Sequence, residues 1–183
     1  MISRKYVKEY QIEERFDEKG RVRTQAVYTG VGYTLSPPVT KRDKIAIIIL
    51  SAVSVVLFIA ALIPETFAAR VVYIMLPFAL TALPLFIMTS WSVRLLVLKE
   101  PMDHAIAERL ANRMPAGAIA ASILPGITFI ATIITITVTG TGVSPGDVMF
   151  ICFSPLITAA SATVFAKTRR LKATPVITRS TCI

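Results

Sequence analysis

Few side chains in this sequence could do chemistry. The single histidine, His104, stands four residues before Glu108. On a helix that spacing puts an imidazole and a carboxylate on one face, within reach of one metal ion or one proton path. A zinc site needs three or four ligands, and no third or fourth accompanies the pair, so a solvated helix face is expected and no metal. Cys152 falls in an apolar stretch and Cys182 in a basic tail. That separation speaks against a structural disulfide. HExxH, CxxC, GxSxG and a phosphate-cradling Gly-rich loop are all absent. A serine or threonine nucleophile would need a base within hydrogen-bond reach, and His104 is expected across the membrane from most candidates. The expectation is therefore a chain without catalysis and without cofactor.

The hydroxyls carry the most specific pattern. Thr128, Thr132, Thr135 and Thr139 follow steps of 4, 3 and 4, which draws one stripe down a helix. Ser154, Thr158 and Ser161 draw a second. Small residues recur at four-residue spacing: Gly117 with Ala121, Ser122 with Gly126, Thr158 with Ala162, and Ala162 with Ala166. Such residues let membrane helices approach closely, and hydroxyls bond across the contact or to their own preceding turn. The favoured expectation is a helix-packing seam, with Ala162 permitting the close approach. The alternative is a path for a neutral or weakly polar solute along the same stripe.

These residues lie on segments that can only be membrane spans. The chain has 183 residues, 54% of them hydrophobic and 17% charged. Soluble domains carry about 25% charge, so the polar surface is too small to cover a bundle in water. Four nearly uncharged stretches run over about 45–63, 71–91 or to 98, 117–139 and 148–166. Each suits a helix crossing a hydrocarbon core of about 30 Å. The first begins too far into the chain, and lacks the small-residue site, for a cleaved signal peptide. Pro77, Pro84, Pro125 and Pro155 are expected to bend the later three. Tyr73 and Trp91 stand about 27 Å apart at helical rise, as an aromatic belt would. No ionisable residue occupies the centre of any span, where proton relays and ion-coupled transport place them.

Charge sets the expected orientation. The first 44 residues hold ten Lys/Arg against six Asp/Glu, and the stretch from Lys167 onward holds five Lys/Arg and no acid. Of the twenty Lys/Arg, only Arg70 falls on the other side of the spans. Both ends and the middle loop are then expected in the cytoplasm, in a plasma membrane, facing anionic headgroups. Nucleic acid is not an expected partner, because no recognition helix or aromatic-lined basic groove accompanies the charge.

The polar parts are patterned too. Tyr10, Ile12, Phe16, Val22, Ala26 and Tyr28 fall at even positions around the turn sequence Asp17–Gly20. An antiparallel pair in the register Phe16–Val22, Ile12–Ala26, Tyr10–Tyr28 puts all six on one face. An isolated hairpin is marginal, so that face is expected to rest on the membrane surface, the middle cytoplasmic loop, a second copy or a membrane-protein partner. Val31, Tyr33 and Leu35 suggest a short third strand. In the middle loop Met102, Ile106, Leu110 and Met114 recur every four residues, predicting a short amphipathic helix over about 102–114 that Pro115 stops. The expected organisation is a cytoplasmic arm at 1–43, a four-helix transmembrane domain at 44–172 and a tail at 173–183. The fold class is an all-α polytopic membrane protein with a small N-terminal hairpin. The function expected is a non-catalytic accessory or scaffold subunit; the alternative is a channel or transporter component, and an intramembrane enzyme comes third.

Overall fold

Helix ends in this protein are set by a few polar residues and by where proline removes a donor. The computed structural model describes residues 10–16, 22–28, 32–64, 66, 70–98, 101–140 and 143–175, the first two runs as backbone pairing alone. Helix α1 (Lys41–Leu62) starts at Thr40, whose hydroxyl accepts the Asp43 N–H at 3.2 Å and donates to the Asp43 carboxylate at 2.7 Å. Helices α2 (Val72–Leu80) and α3 (Ala82–Val97) are two pieces of one span. Pro84 has no N–H for the Leu80 carbonyl, and its ring crowds that oxygen, so the helix breaks at Thr81. The Thr81 N–H turns to Phe78 at 3.0 Å, and its hydroxyl donates to the freed Pro77 carbonyl at 3.1 Å. A side chain thus satisfies backbone that the hydrocarbon would leave bare.

Helix α4 (His104–Thr139) ends at Gly140, whose φ of 61° is the left-handed cap that glycine tolerates. Helix α5 (Pro145–Thr168) opens on a reciprocal capping box: Ser144 accepts the Asp147 N–H at 3.2 Å, and Asp147 accepts the Ser144 N–H at 3.1 Å. The helix therefore begins at Pro145, three residues before the expected start of the fourth span at 148.

All four spans are long and apolar enough to cross a membrane. The protein is a polytopic helical membrane protein. α5 packs on α4 and α1, and α3 packs on α4 and α1, so the bundle closes in a ring. Phe78 fastens its centre, with its ring centroid 4.9 Å from Phe58 and 4.7 Å from Phe150, tying α2 to α1 and α5. Ile49, Val56, Phe86, Ile130 and Leu156 point outward and exposed, a surface that only lipid solvates well.

Two polar segments differ from expectation. The predicted helix over 102–114 does not stop at Pro115; it is the first part of α4, which runs 36 residues without a break. At 1.5 Å per residue α4 is about 54 Å long, well beyond the hydrocarbon. Proline inside a helix costs roughly 3 kcal/mol. Against that cost stands one buried stripe, Ala107, Leu110, Met114, Ala118, Ala121, Pro125 and Thr128, which passes Pro115 without a gap. Pro115 itself sits off the stripe, half-buried.

The second difference concerns the strands. β1 (Tyr10–Phe16) and β2 (Val22–Tyr28) pair antiparallel with Tyr10 opposite Tyr28, Ile12 opposite Ala26 and Phe16 opposite Val22, the register the alternation predicts. The Asp17–Gly20 turn itself lies outside the described residues. β3 (Tyr33–Ser36) does form, but its strand partner is β4 (Lys172–Pro175), in the segment after α5. Tyr33 also exchanges two backbone hydrogen bonds with Met102, both 2.9 Å, on its other edge. Arm, middle loop and tail are thereby joined at one end of the bundle, over buried Leu35, Met102 and Leu171. Lys167 adds an ion pair to Asp43 at 2.6 Å across α5 and α1.

Gly32 is the tightest point of that junction, since a Cβ there would lie 2.7 Å from the Pro101 Cβ. Carbon atoms pack at about 3.5–4.0 Å, and a proline ring cannot swing aside. Gly32→Ala should therefore cost about 1–3 kcal/mol. The expected readout is a lowered melting temperature in detergent, with protease cutting the arm near residue 32 faster than in the parent.

Candidate functional site

The hydroxyl stripes run along α4 and α5, two helices that pack on one another. Thr128, Thr132 and Thr135 are buried on α4, and Ser154 and Ser161 are buried on α5, with Thr158 half-buried beside them. Thr139, predicted as the fourth member of the α4 stripe, is exposed one turn beyond it. Ala162 is also exposed, on the outer side of α5, and so is not the residue that allows close approach. That correction follows from helical geometry: Ile157, Ser161, Val164 and Thr168 form the buried side, and position 162 is turned about 100° from Ser161.

Close approach is supplied by two glycines with different partners. A Cβ on Gly126 would meet the Thr158 side chain at 3.7 Å, an ordinary contact, so this glycine faces α5. A Cβ on Gly117 would meet Ile87 Cγ2 at 3.1 Å, the Met88 backbone nitrogen at 3.2 Å and the Pro84 carbonyl at 3.3 Å. Gly117 therefore lets α3 lie against α4, which is a different interface from the α4–α5 seam that the small-residue spacing suggested.

The hydroxyls are used locally. Thr128 donates to the Leu124 carbonyl at 2.7 Å, Thr132 to Thr128 at 2.8 Å, Thr135 to Ala131 at 2.7 Å and Thr139 to Thr135 at 2.8 Å. On α5, Ser154 donates to Phe150 at 2.9 Å and Thr158 to Ser154 at 3.0 Å. Each hydroxyl folds back on the preceding turn of its own helix, where it spares the hydrocarbon an unpaired donor. Ser161 Oγ is buried with no partner among the described residues.

Hydroxyl contacts between helices occur elsewhere. Ser51 of α1 and Ser92 of α3 lie 2.9 Å apart, both fully buried: one hydroxyl donates to the other, which donates in turn to the carbonyl four residues back on its own helix, Ile47 or Met88. Tyr73 reaches across from α2, its hydroxyl 2.9 Å from Thr135 Oγ1. Sequence reasoning missed both. Ser51 is visible as a polar position in an otherwise aliphatic helix, but nothing in the spacing selects Ser92 as its partner. Tyr73 reads equally well as an interfacial aromatic, and it remains largely exposed while making this bond.

Among the described residues, three of the grooves at the flanks of the bundle have volumes of about 430, 320 and 300 Å³. The smallest touches the stripe at Thr135 and Thr139 beside Tyr73. None of the three is lined by Thr128, Thr132, Ser154 or Thr158. His104 stacks on Tyr33, with ring centroids 4.3 Å apart and planes 12° from parallel, so it belongs to the strand junction. Among the described residues no three His, Cys, Asp or Glu side chains converge on a metal position. Tyr10, Ile12, Phe16, Val22, Ala26 and Tyr28 are described through backbone pairing alone, and that pairing is the one in which even positions share a face.

A substitution series separates packing from a solute path. Gly117→Ala should lower stability by about 1–3 kcal/mol, because its neighbours include backbone. Gly126→Ala should be neutral or slightly stabilising, since the space exists and glycine is a poor helix former. Thr132→Val should cost under ~1 kcal/mol, and Ala162→Leu little, on an exposed face. Melting curves in one detergent check the order. A Thr132→Val loss larger than that of Gly117→Ala would contradict the packing reading.

No family model matches the chain, and no curated protein or solved structure matches it.

Proposed function

We propose that this protein is a non-catalytic accessory or scaffold subunit of the plasma membrane, with both ends and the middle loop cytoplasmic. On this reading its bundle is a rigid anchor, and its β1–β2 hairpin docks on a second copy or on a membrane-protein partner. One observation carries the reading: Thr128, Thr132, Ser154 and Thr158, which would line a solute path along α4 and α5, donate to their own helices instead. Hydroxyls engaged this way have committed their one proton to their own helix and keep only acceptor lone pairs, which supports packing over a path lined by free donors. The orientation rests on the charge split along the sequence, with nineteen of twenty Lys/Arg within residues 1–44, 94–113 and 167–183. Those bases also favour anionic lipids on the cytoplasmic side. The docking surface rests on the alternation of β1 and β2, whose shared face would hold Tyr10, Ile12, Phe16, Val22, Ala26 and Tyr28.

The test is association of the full chain in membranes. Ile12→Asp puts a charge on the docking face without touching a span, and it should weaken self-association or partner capture at least several-fold while insertion stays normal. Chemical cross-linking followed by mass spectrometry reads the association. In the same cells an impermeant maleimide should label Val143→Cys from outside and leave Asn112→Cys untouched. Unchanged association in Ile12→Asp would overturn the docking surface, and outside labelling at 112 would overturn the orientation.

A further inference from the structure

The largest of the three grooves runs between α3 and α4 at the end of the bundle that carries the strand junction. Its origin is physical. Gly117 brings α4 against the α3 backbone, while Ala116 and Ala120 leave short side chains on the outer side of α4. Leu83 and Ile87 stand out from α3 to form the opposite wall, and Pro84 at its base follows the helix break at Thr81. The result is an apolar trough of about 430 Å³, open at the side. From Arg113 to Leu124 it extends about 16 Å along α4 at helical rise, close to one leaflet of a 30 Å hydrocarbon core.

Its upper end is charged. Trp91 and Arg113 both line the trough there, and the Arg94 guanidinium lies 4.9 Å from the centre of the Trp91 ring. Both arginines are exposed, and among the described residues no carboxylate forms an ion pair with either. Two guanidinium groups at the headgroup level, above a trough one leaflet deep, match an anionic phospholipid in both charge and length. We propose that this trough is a binding site for one anionic phospholipid. An acyl chain lies between α3 and α4, the headgroup phosphate is held by Arg113 and Arg94, and Trp91 sits at the boundary between them. Guanidinium recognises phosphate through paired, charge-assisted hydrogen bonds, and basic pockets between membrane helices are known to hold such headgroups. This site does not depend on the docking reading above.

Native mass spectrometry of the detergent-purified full chain tests it, with phosphatidylglycerol and phosphatidylcholine of identical chains as probes. Both probes carry the phosphodiester, and phosphatidylcholine adds a choline cation that the two guanidinium groups repel, so the parent should retain phosphatidylglycerol over phosphatidylcholine by about tenfold. Arg113→Gln with Arg94→Gln should bring that preference close to unity with the melting temperature unchanged. Ala120→Phe, which fills the trough from its lipid side, should reduce adducts of both lipids. Equal retention of the two lipids by the parent would overturn the proposal, as would a preference that survives the double substitution. Full retention in Ala120→Phe would do the same. So would a disulfide between two copies through Ala120→Cys in membranes, because a second protein chain would then occupy the trough.

Discussion

Strand β3 is the piece on which the basic end of the protein depends. It is held on both edges, by β4 on one side and by Met102 on the other. Three segments far apart in the chain thus share backbone hydrogen bonds over a small core of Leu35, Met102 and Leu171. The consequence reaches into the bilayer. Met102 stands just before α4, so fixing it fixes where α4 begins, and the stripe Ala107–Leu110–Met114 then continues straight into the membrane part of the same helix. A helix anchored at one end and buried along one side tolerates Pro115, which would otherwise have ended it.

Inside the bilayer, packing is the working force, and polar atoms are mostly neutralised in place. Lipid offers no hydrophobic gain for helix–helix contact, so association rests on close fit. Gly117 and Gly126 supply that fit at two different interfaces, and Phe58, Phe78 and Phe150 fill the centre. Thr128, Thr132 and Thr135 cost little because each returns its proton to the preceding turn. Ser51 with Ser92 and Tyr73 with Thr135 bring hydroxyls of different helices together.

The spans were legible in the sequence because hydrocarbon imposes a length and a composition that survive any packing detail. The β1–β2 register was legible for a similar reason: an alternation of period two admits few pairings. The break at Thr81 follows from Pro84 acting four residues back. What could not be read depends on partners distant in sequence. Nothing local marks Lys172–Pro175 as a strand, since its identity as β4 comes from Tyr33–Ser36 across the whole chain. Proline chemistry argued for an end at Pro115, and tertiary burial of Leu110 and Met114 overrode it. The hydroxyl stripe was visible by spacing, but spacing cannot say which small residues lie inward. Ala162 turned out to face outward, while Gly117 serves the α3 contact.

The measurement that bears most directly on this architecture is a cross-link between β3 and β4. Thr34 and Thr174 are directly opposed, with hydroxyl oxygens 3.5 Å apart. Antiparallel partners lie at about 4.5–5.5 Å between Cα atoms, inside the disulfide range. With Cys152 and Cys182 replaced by serine, the pair Thr34→Cys and Thr174→Cys should oxidise within one chain in intact membranes. The reduced and oxidised forms should migrate differently as monomers. Failure to form the bond under oxidant, or a bond formed only between two chains, would contradict a junction in which the arm, the loop and the tail of one molecule meet.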